Sequence, residues 1–215
     1  SFNYISNANA ATNCEAIPHF VDCEEETLGV CPIKLEEYLK KISIKVGNNL
    51  INKKTKRIIK AIVLVYIFGH SPKIKDLLAV AKKFKLIILE DAAEALGSYY
   101  KGRHAGTFGT IGILSFNGNK IITTGGGGAV LTNSKKIADK IKKLTSNGRK
   151  FHRWKFIFDT KGYNYRLPSL NSAMGISQLK NISRLIKNNR SLYKEYHNFF
   201  INNSEIKVQK LKFFC

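Results

Sequence analysis

Three side chains in this sequence stand where they could do chemistry together: Asp91, closing the apolar run "LIILED" (86–91); Ser115, near the end of "IGILSFN" (111–117); and Lys120, in the loop that follows. Four consecutive glycines, 125–128, come soon after in "SFNGNKIITTGGGGAV" (115–130). A lysine beside glycines suggests a phosphate loop, but a Walker A loop needs its glycines before the lysine and a Ser or Thr directly after it. Here Ile121 follows Lys120 and the glycines lie downstream. A dinucleotide fingerprint needs glycines that open a helix, whereas these run into Ala129, Val130 and Leu131, a stretch of strand character. Both nucleotide readings fail on context. A carboxylate, a hydroxyl and an amine gathered at one place instead meet the needs of pyridoxal phosphate. The carboxylate keeps the pyridine nitrogen protonated, the hydroxyl and N–H donors take the phosphate, and the amine takes the aldehyde. Glycines would let the backbone pass close beside such a ligand and turn sharply into the next strand.

The elements that must position these groups are legible from periodicity. "AIPHFVDC" (16–23) reads as a short strand, and "IKLEEYLKKI" (33–42) spaces Leu35, Leu39 and Ile42 along one helix face. "RIIKAIVLVYIF" (57–68) is a continuous β-branched run that predicts a strand covered on both sides. A helix over 72–84 and the strand 86–91 follow, giving the strand, helix, strand order of a parallel sheet with helices packed on it. In such sheets ligands collect beyond the carboxyl ends of the strands, where Asp91, Ser115 and Lys120 would converge. After a glycine-marked loop (97–109) come the strands 111–117 and 128–133, then a helix over 134–148 with Ser134 as its N-cap. Residues 151–171 read as irregular and aromatic, and 169–200 as one long helix or two. No repeat or internal linker divides the chain.

Composition narrows the class. The 215 residues are 44% hydrophobic and 11% aromatic, enough for one sizeable core, and no stretch approaches the ~18 apolar residues of a membrane span. The formal charge of +21 would suit a nucleic-acid partner, but 29 of the 36 basic residues are Lys and only seven are Arg. Base-reading proteins lean on Arg, and single-strand binders interleave aromatics with basic residues; neither pattern is present. A solvated lysine-biased surface is the reading adopted. Cys14, Cys23, Cys31 and Cys215 form no C-x-x-C pair and the five histidines show no ligand spacing, so no metal site is expected. Free, reduced thiols in a soluble cytoplasmic protein are expected instead.

Four stretches then carry a resemblance. "EDAAEALGS" (90–98), "KGRHAGTFG" (101–109), "SFNGNKIITTGGGGAVLTN" (115–133) and "GYNYRLPSLNSAMGISQL" (162–179), in this order and at these intervals, resemble the DegT/DnrJ/EryC1/StrS family of pyridoxal phosphate-dependent sugar aminotransferases. The opening stretch and "VYIFGHS" (65–71) are similar to the branch that aminates UDP-linked 4-keto sugars on the way to legionaminic and related acids. The resemblance implies a three-layer αβα sandwich with a mostly parallel sheet, the large domain of a fold-type I transferase in incomplete form. It assigns 1–200 to that cofactor-binding domain and 201–215 to the start of a connection to a C-terminal small domain. It implies that Lys120 holds the aldehyde and later moves a proton between cofactor and substrate carbons, and that Asp91 bonds the pyridinium nitrogen. Glu94, at a position often held by Gln or His, would lie against the ring or its phenolic oxygen, and Ser115 would hold the phosphate. Asn164 would reach the phosphate of a neighbouring subunit's cofactor in a homodimer with shared active sites, and Arg166 would face the substrate's diphosphate. The implied substrates are a nucleotide-linked keto sugar and an amino donor, glutamate; no nucleic acid or membrane is expected. In the family's dehydratase branch a His replaces the lysine, so Lys120 points to amination.

Three departures from the family pattern also follow from the sequence. Relatives are longer at both ends, which makes this chain read as a fragment without the N-terminal phosphate grip or the small domain. Gly126 stands where an acidic residue is usual, and Asn7 where Thr or Ser is common near the substrate. A catalytically inactive, truncated remnant is therefore the alternative to an active aminotransferase. Core faces left uncovered would favour association.

Overall fold

The structure, a computed structural model, describes residues 2–150 and 152–210. Cys215 and the last part of the expected 201–215 connection lie outside the described residues. From the N-terminus, α1 (Ile5–Asn13) and α2 (Pro32–Ile42) precede an antiparallel meander of β1 (Ser43–Val46), β2 (Asn49–Asn52) and β3 (Ile58–Ile59). Next come β4 (Ala61–Val65), α3 (Ile74–Phe84) and β5 (Ile87–Asp91), then a small hairpin of β6 (Tyr99–Tyr100) and β7 (Arg103–His104). β8 (Ile111–Ser115), β9 (Gly128–Leu131) and α4 (Lys135–Leu144) follow. The short ladder of β10 (Arg149–Lys150) with β11 (Ile157–Phe158) leads to α5 (Ser169–Leu179) and α6 (Ile182–Phe200).

The central sheet runs β4-β5-β8-β9, with β4, β5 and β8 parallel and β9 returning antiparallel. Its register aligns Val65, Asp91 and Ile113 across three strands. Because side chains alternate faces along a strand, residues opposite one another share a face. Ile62, Leu64, Ile88, Glu90, Gly112 and Leu114 therefore look one way, and all six are buried. α3 covers part of this face through Ile74, Leu77, Val80 and Ala81, with Leu35 and Leu39 of α2 packed alongside. The rest is covered by Ala92, Ala95 and Ala105 from the turns after β5. A fully buried side chain such as Leu64 or Leu77 contributes about 2 kcal/mol.

The opposite face is the one that differs from expectation. Val63, Ile87, Ile113 and Val130 are 36–44% exposed, so β4 is not covered on both sides as its apolar run predicted. Helices layer one face of the sheet, and the third layer of the expected sandwich is incomplete among the described residues. The run 57–68 also divides: β3 pairs with β2, β4 joins the central sheet, and a 3-10 turn (Ile67–Gly69) ends it. The stretch 16–23, read as a strand, has no ladder beyond the single bridge Cys23↔Val30, and its Ile17 and Phe20 are exposed. α4 stops short of the expected 148 because Asn147 and Gly148 adopt left-handed backbone, closed by Gly148 N–H donating to the Lys143 carbonyl. Its Ser134 cap is as expected, accepting from the Ile137 N–H. The region 169–200 forms two helices rather than one.

Candidate active site

The mouth of the sheet is assembled from strand ends. Asp91 is the last residue of β5, and its Oδ1 accepts from the Ala93 N–H at 3.1 Å, which turns the chain sharply off the strand. Glu94 lies in that turn. One of its oxygens, Oε2, accepts from the Phe68 N–H at 3.0 Å, and the other, Oε1, lies 3.2 Å from Lys120 Nζ. Phe68 adopts left-handed backbone (φ 50°), and Gly69 next to it does so at φ 81°. A side chain at Gly69 would come within 2.9 Å of the Glu94 carbonyl, so the close approach of the two turns depends on that glycine.

Lys120 sits in a turn closed by its own N–H donating to the Asn117 carbonyl at 3.0 Å. Its side chain is only 16% exposed, low for a lysine, and Glu94 is its ion-pair partner. The loop is gripped from behind by α5. Gln178 accepts from the Thr123 N–H at 3.0 Å and donates to the Thr123 carbonyl at 2.8 Å, while Asn171 donates to the Thr124 carbonyl at 2.5 Å. At its far end the loop rejoins the sheet where Gly128 pairs with Ser115. A Cβ on Gly128 would lie 2.3 Å from the Leu114 carbonyl oxygen, so the last of the four glycines is demanded by strand packing. Ser115, two residues beyond Ile113, shares the sheet face of Asp91, and its Oγ accepts from the Asn117 N–H at 3.3 Å.

Asp91, Glu94, Ser115 and Lys120 are thus brought to one end of the sheet. Asn164 and Arg166 are not among them. Both are exposed, Asn164 in an isolated bridge to Ser146. Arg166 borders a hollow of about 430 Å³ that Gly126, Gly127 and Gly128 also line, beside the end of the loop that pairs with Ser115. Beneath the mouth, on the buried face, Glu90 is fully enclosed. It accepts from the Tyr66 hydroxyl at 2.5 Å, from the Gly106 N–H at 2.9 Å and from the Gly109 N–H. Burial and the neighbouring carboxylate push the Tyr66 hydroxyl well above the usual phenol range. Sequence reasoning missed the contacts of Glu90, the Phe68 N–H and the α5 clamp, because backbone donors and long-range amide contacts leave no local pattern.

The sequence profile of the DegT/DnrJ/EryC1/StrS aminotransferase family matches residues 1–212. The chain belongs to that family. GDP-perosamine synthase of Escherichia coli O157:H7 is 36% identical over 210 residues, covering 98% of this chain and 52% of the relative. The UDP-4-amino-4,6-dideoxy-N-acetyl-beta-L-altrosamine transaminase of Campylobacter jejuni serotype O:23/36 is 33% identical over 210 residues, covering 97% and 52%. Among solved structures, Helicobacter pylori PseC, an aminotransferase involved in the biosynthesis of pseudoaminic acid, superposes with a TM-score of 0.81 at 30% identity, covering 94% of this chain and 50% of PseC. The chain therefore spans about half the length of the relatives it matches. Its mixed α/β fold with a mostly parallel central sheet is that of the fold-type I transferases.

DegT/DnrJ/EryC1/StrS aminotransferases depend on pyridoxal phosphate, and the residues here fit that group. A shielded amine, a carboxylate at an adjoining strand end and a hydroxyl on the same face form the donor set that its aldehyde, ring nitrogen and phosphate need. Among the described residues, no helix is long and apolar enough to cross a membrane.

Proposed function

We propose that this chain carries the cofactor-binding core of a pyridoxal phosphate-dependent aminotransferase that aminates a keto carbon of a nucleotide-linked deoxysugar for cell-surface polysaccharide synthesis. The observation that carries the reading is the placement of Lys120, with its amine held by Glu94 in the turn that begins at Asp91. Bound there, pyridoxal phosphate supplies an electron sink for the carbanion formed as a proton leaves the substrate carbon. Lys120 would hold that group through its aldehyde, and its amine is the base placed to carry the proton. Glu94, ion-paired with the amine, keeps it aimed at the mouth and would lie against the phenolic side of the ring. Asp91 would hold a proton on the ring nitrogen, and Ser115 would donate to the phosphate.

Asn164 serves a second copy in this reading and Arg166 the substrate. The exposure of both, and the hollow that Arg166 shares with Gly126–Gly128, support assigning Asn164 to the phosphate of a partner subunit's cofactor and Arg166 to the sugar nucleotide's diphosphate. Glutamate is the amino donor, 1–200 is the cofactor domain, and 201–215 begins the link to a small domain. The relatives' sugar-nucleotide names support the substrate class, and the three free cysteines among the described residues support a cytoplasmic setting.

The test is to mix the purified chain with pyridoxal phosphate, follow the visible absorption of the lysine-bound cofactor, and trap it with borohydride for mass mapping. A band that maps to Lys120 and vanishes in Lys120→Ala supports the reading. No band in the parent favours the inactive remnant, and a band that survives the substitution moves the chemistry elsewhere.

A further inference from the structure

We propose that Asn7 is a positioning residue for Asp91, fixing the plane of its carboxylate for the cofactor's ring nitrogen. The inference rests on the reading of Asp91 given above and goes beyond it by assigning a role to α1. Asn7 Nδ2 lies 2.6 Å from Asp91 Oδ2, a contact between residues 84 apart in sequence. The same nitrogen donates to Asn3 Oδ1 at 2.7 Å. Both amide hydrogens thus have acceptors, and Asp91 settles the amide's orientation, since a flipped Asn7 would set its oxygen against the carboxylate. Asp91 Oδ1 is already taken by the Ala93 N–H at 3.1 Å. With one donor on each oxygen, rotation of the carboxylate breaks both hydrogen bonds, so one plane is favoured. Each oxygen still keeps a lone pair for a further donor.

Docking of α1 is the competing role for this contact. α1 has no buried residue and no side-chain cap, so apolar packing holds it weakly. A hydrogen bond that only anchored the helix would, once Asn7 is replaced, speed backbone hydrogen exchange over α1. One that sets the carboxylate would weaken cofactor binding with exchange over α1 unchanged.

The experiment is a double-substitution cycle read by pyridoxal phosphate dissociation constants and by borohydride-trapped mass at Lys120. Asn7→Leu, close in size but without a donor, is expected to weaken binding roughly ten-fold, the scale of a hydrogen bond to a charged group, with the trapped adduct still at Lys120. In an Asp91→Ala background the same substitution is expected to change binding less than about two-fold, because the term it removes runs through Asp91. Equal binding by the parent and Asn7→Leu overturns the proposal, as does a ten-fold loss that persists without Asp91 or one that comes with faster backbone exchange over α1. Should Asn7→Leu fail to fold, Asn7→Ser is read in its place, its hydroxyl being too short to span to Asp91. In the cofactor-free chain, the Asn7 side-chain amide signals in ¹⁵N spectra are expected to shift on Asp91→Ala, and unmoved signals overturn the contact itself. If the parent takes up no cofactor, the functional reading fails and this proposal with it, whereas uptake with an inert Asn7 defeats this proposal alone.

Discussion

The grip of α5 on the lysine loop gives a quantitative expectation. Gln178→Met keeps the length and volume of the side chain but removes both hydrogen bonds to Thr123, at 3.0 and 2.8 Å. At about 1 kcal/mol net for each, the loop loses about 2 kcal/mol of anchoring. At 1.4 kcal/mol per factor of ten, that raises the open fraction of the loop about 30-fold. The assay is hydrogen exchange resolved to single amides in the cofactor-free chain. Thr123 N–H loses its acceptor directly, and Gly125 N–H, bonded to Thr123 Oγ1 at 2.9 Å, should quicken with it. Amides in β5, such as that of Leu89, serve as an internal reference and should hold their rates. Unchanged exchange at Thr123 and Gly125, with a folded variant, would refute the claim that α5 fixes the lysine; a uniform acceleration through β5 would show global destabilisation instead.

Other expectations follow from named contacts. Glu90→Gln gives up a charge that three donors share and should cost about 2 kcal/mol in denaturant unfolding, with no change in which lysine the cofactor labels. The glycines should separate by environment. Gly128→Ala forces a carbon to within 2.3 Å of a carbonyl oxygen and should abolish folded protein, whereas Gly126→Glu enters open space and should shift stability by no more than about 0.5 kcal/mol. The open sheet face should drive concentration-dependent association in sedimentation, and Ile87→Lys with Ile113→Lys should reduce it; a monodisperse, sharply melting parent would contradict this.

Much of this arrangement could be read before the fold was known. α2 and α3 announce themselves because apolar residues recur at helical spacing, and β5, β8 and β9 because short β-branched runs end at turn residues. Asp91, Ser115 and Lys120 stand out as a group because strand ends in a parallel sheet share one mouth. What escaped did so for physical reasons. In β4 both faces carry Ala, Val, Ile or Leu, so the alternation in burial leaves no trace in residue type. The β1–β2 hairpin turns through Gly47 and Asn48, a signal that was available, but it directly abuts α2 and merges with its pattern. α1 lacks both an apolar stripe and a capping side chain, leaving nothing periodic to detect. The Asn7 contact spans too much chain for any local signature.

The way β9 returns beside β8 has a bearing on how the site matures during folding. Lys120 belongs to a hairpin whose two arms meet within a few turns of chain, from Ser115 to Gly128. Asp91 is instead placed by parallel pairing, which requires a whole helical crossover between β4 and β5 and a second long excursion before β8. Short-range closures lose less entropy and form sooner than distant ones. The arms of this hairpin should therefore pair early, whereas the grip of α5 on the loop between them, across 55 residues, should close later, so that a refolding chain forms the lysine's loop before it can aim the amine.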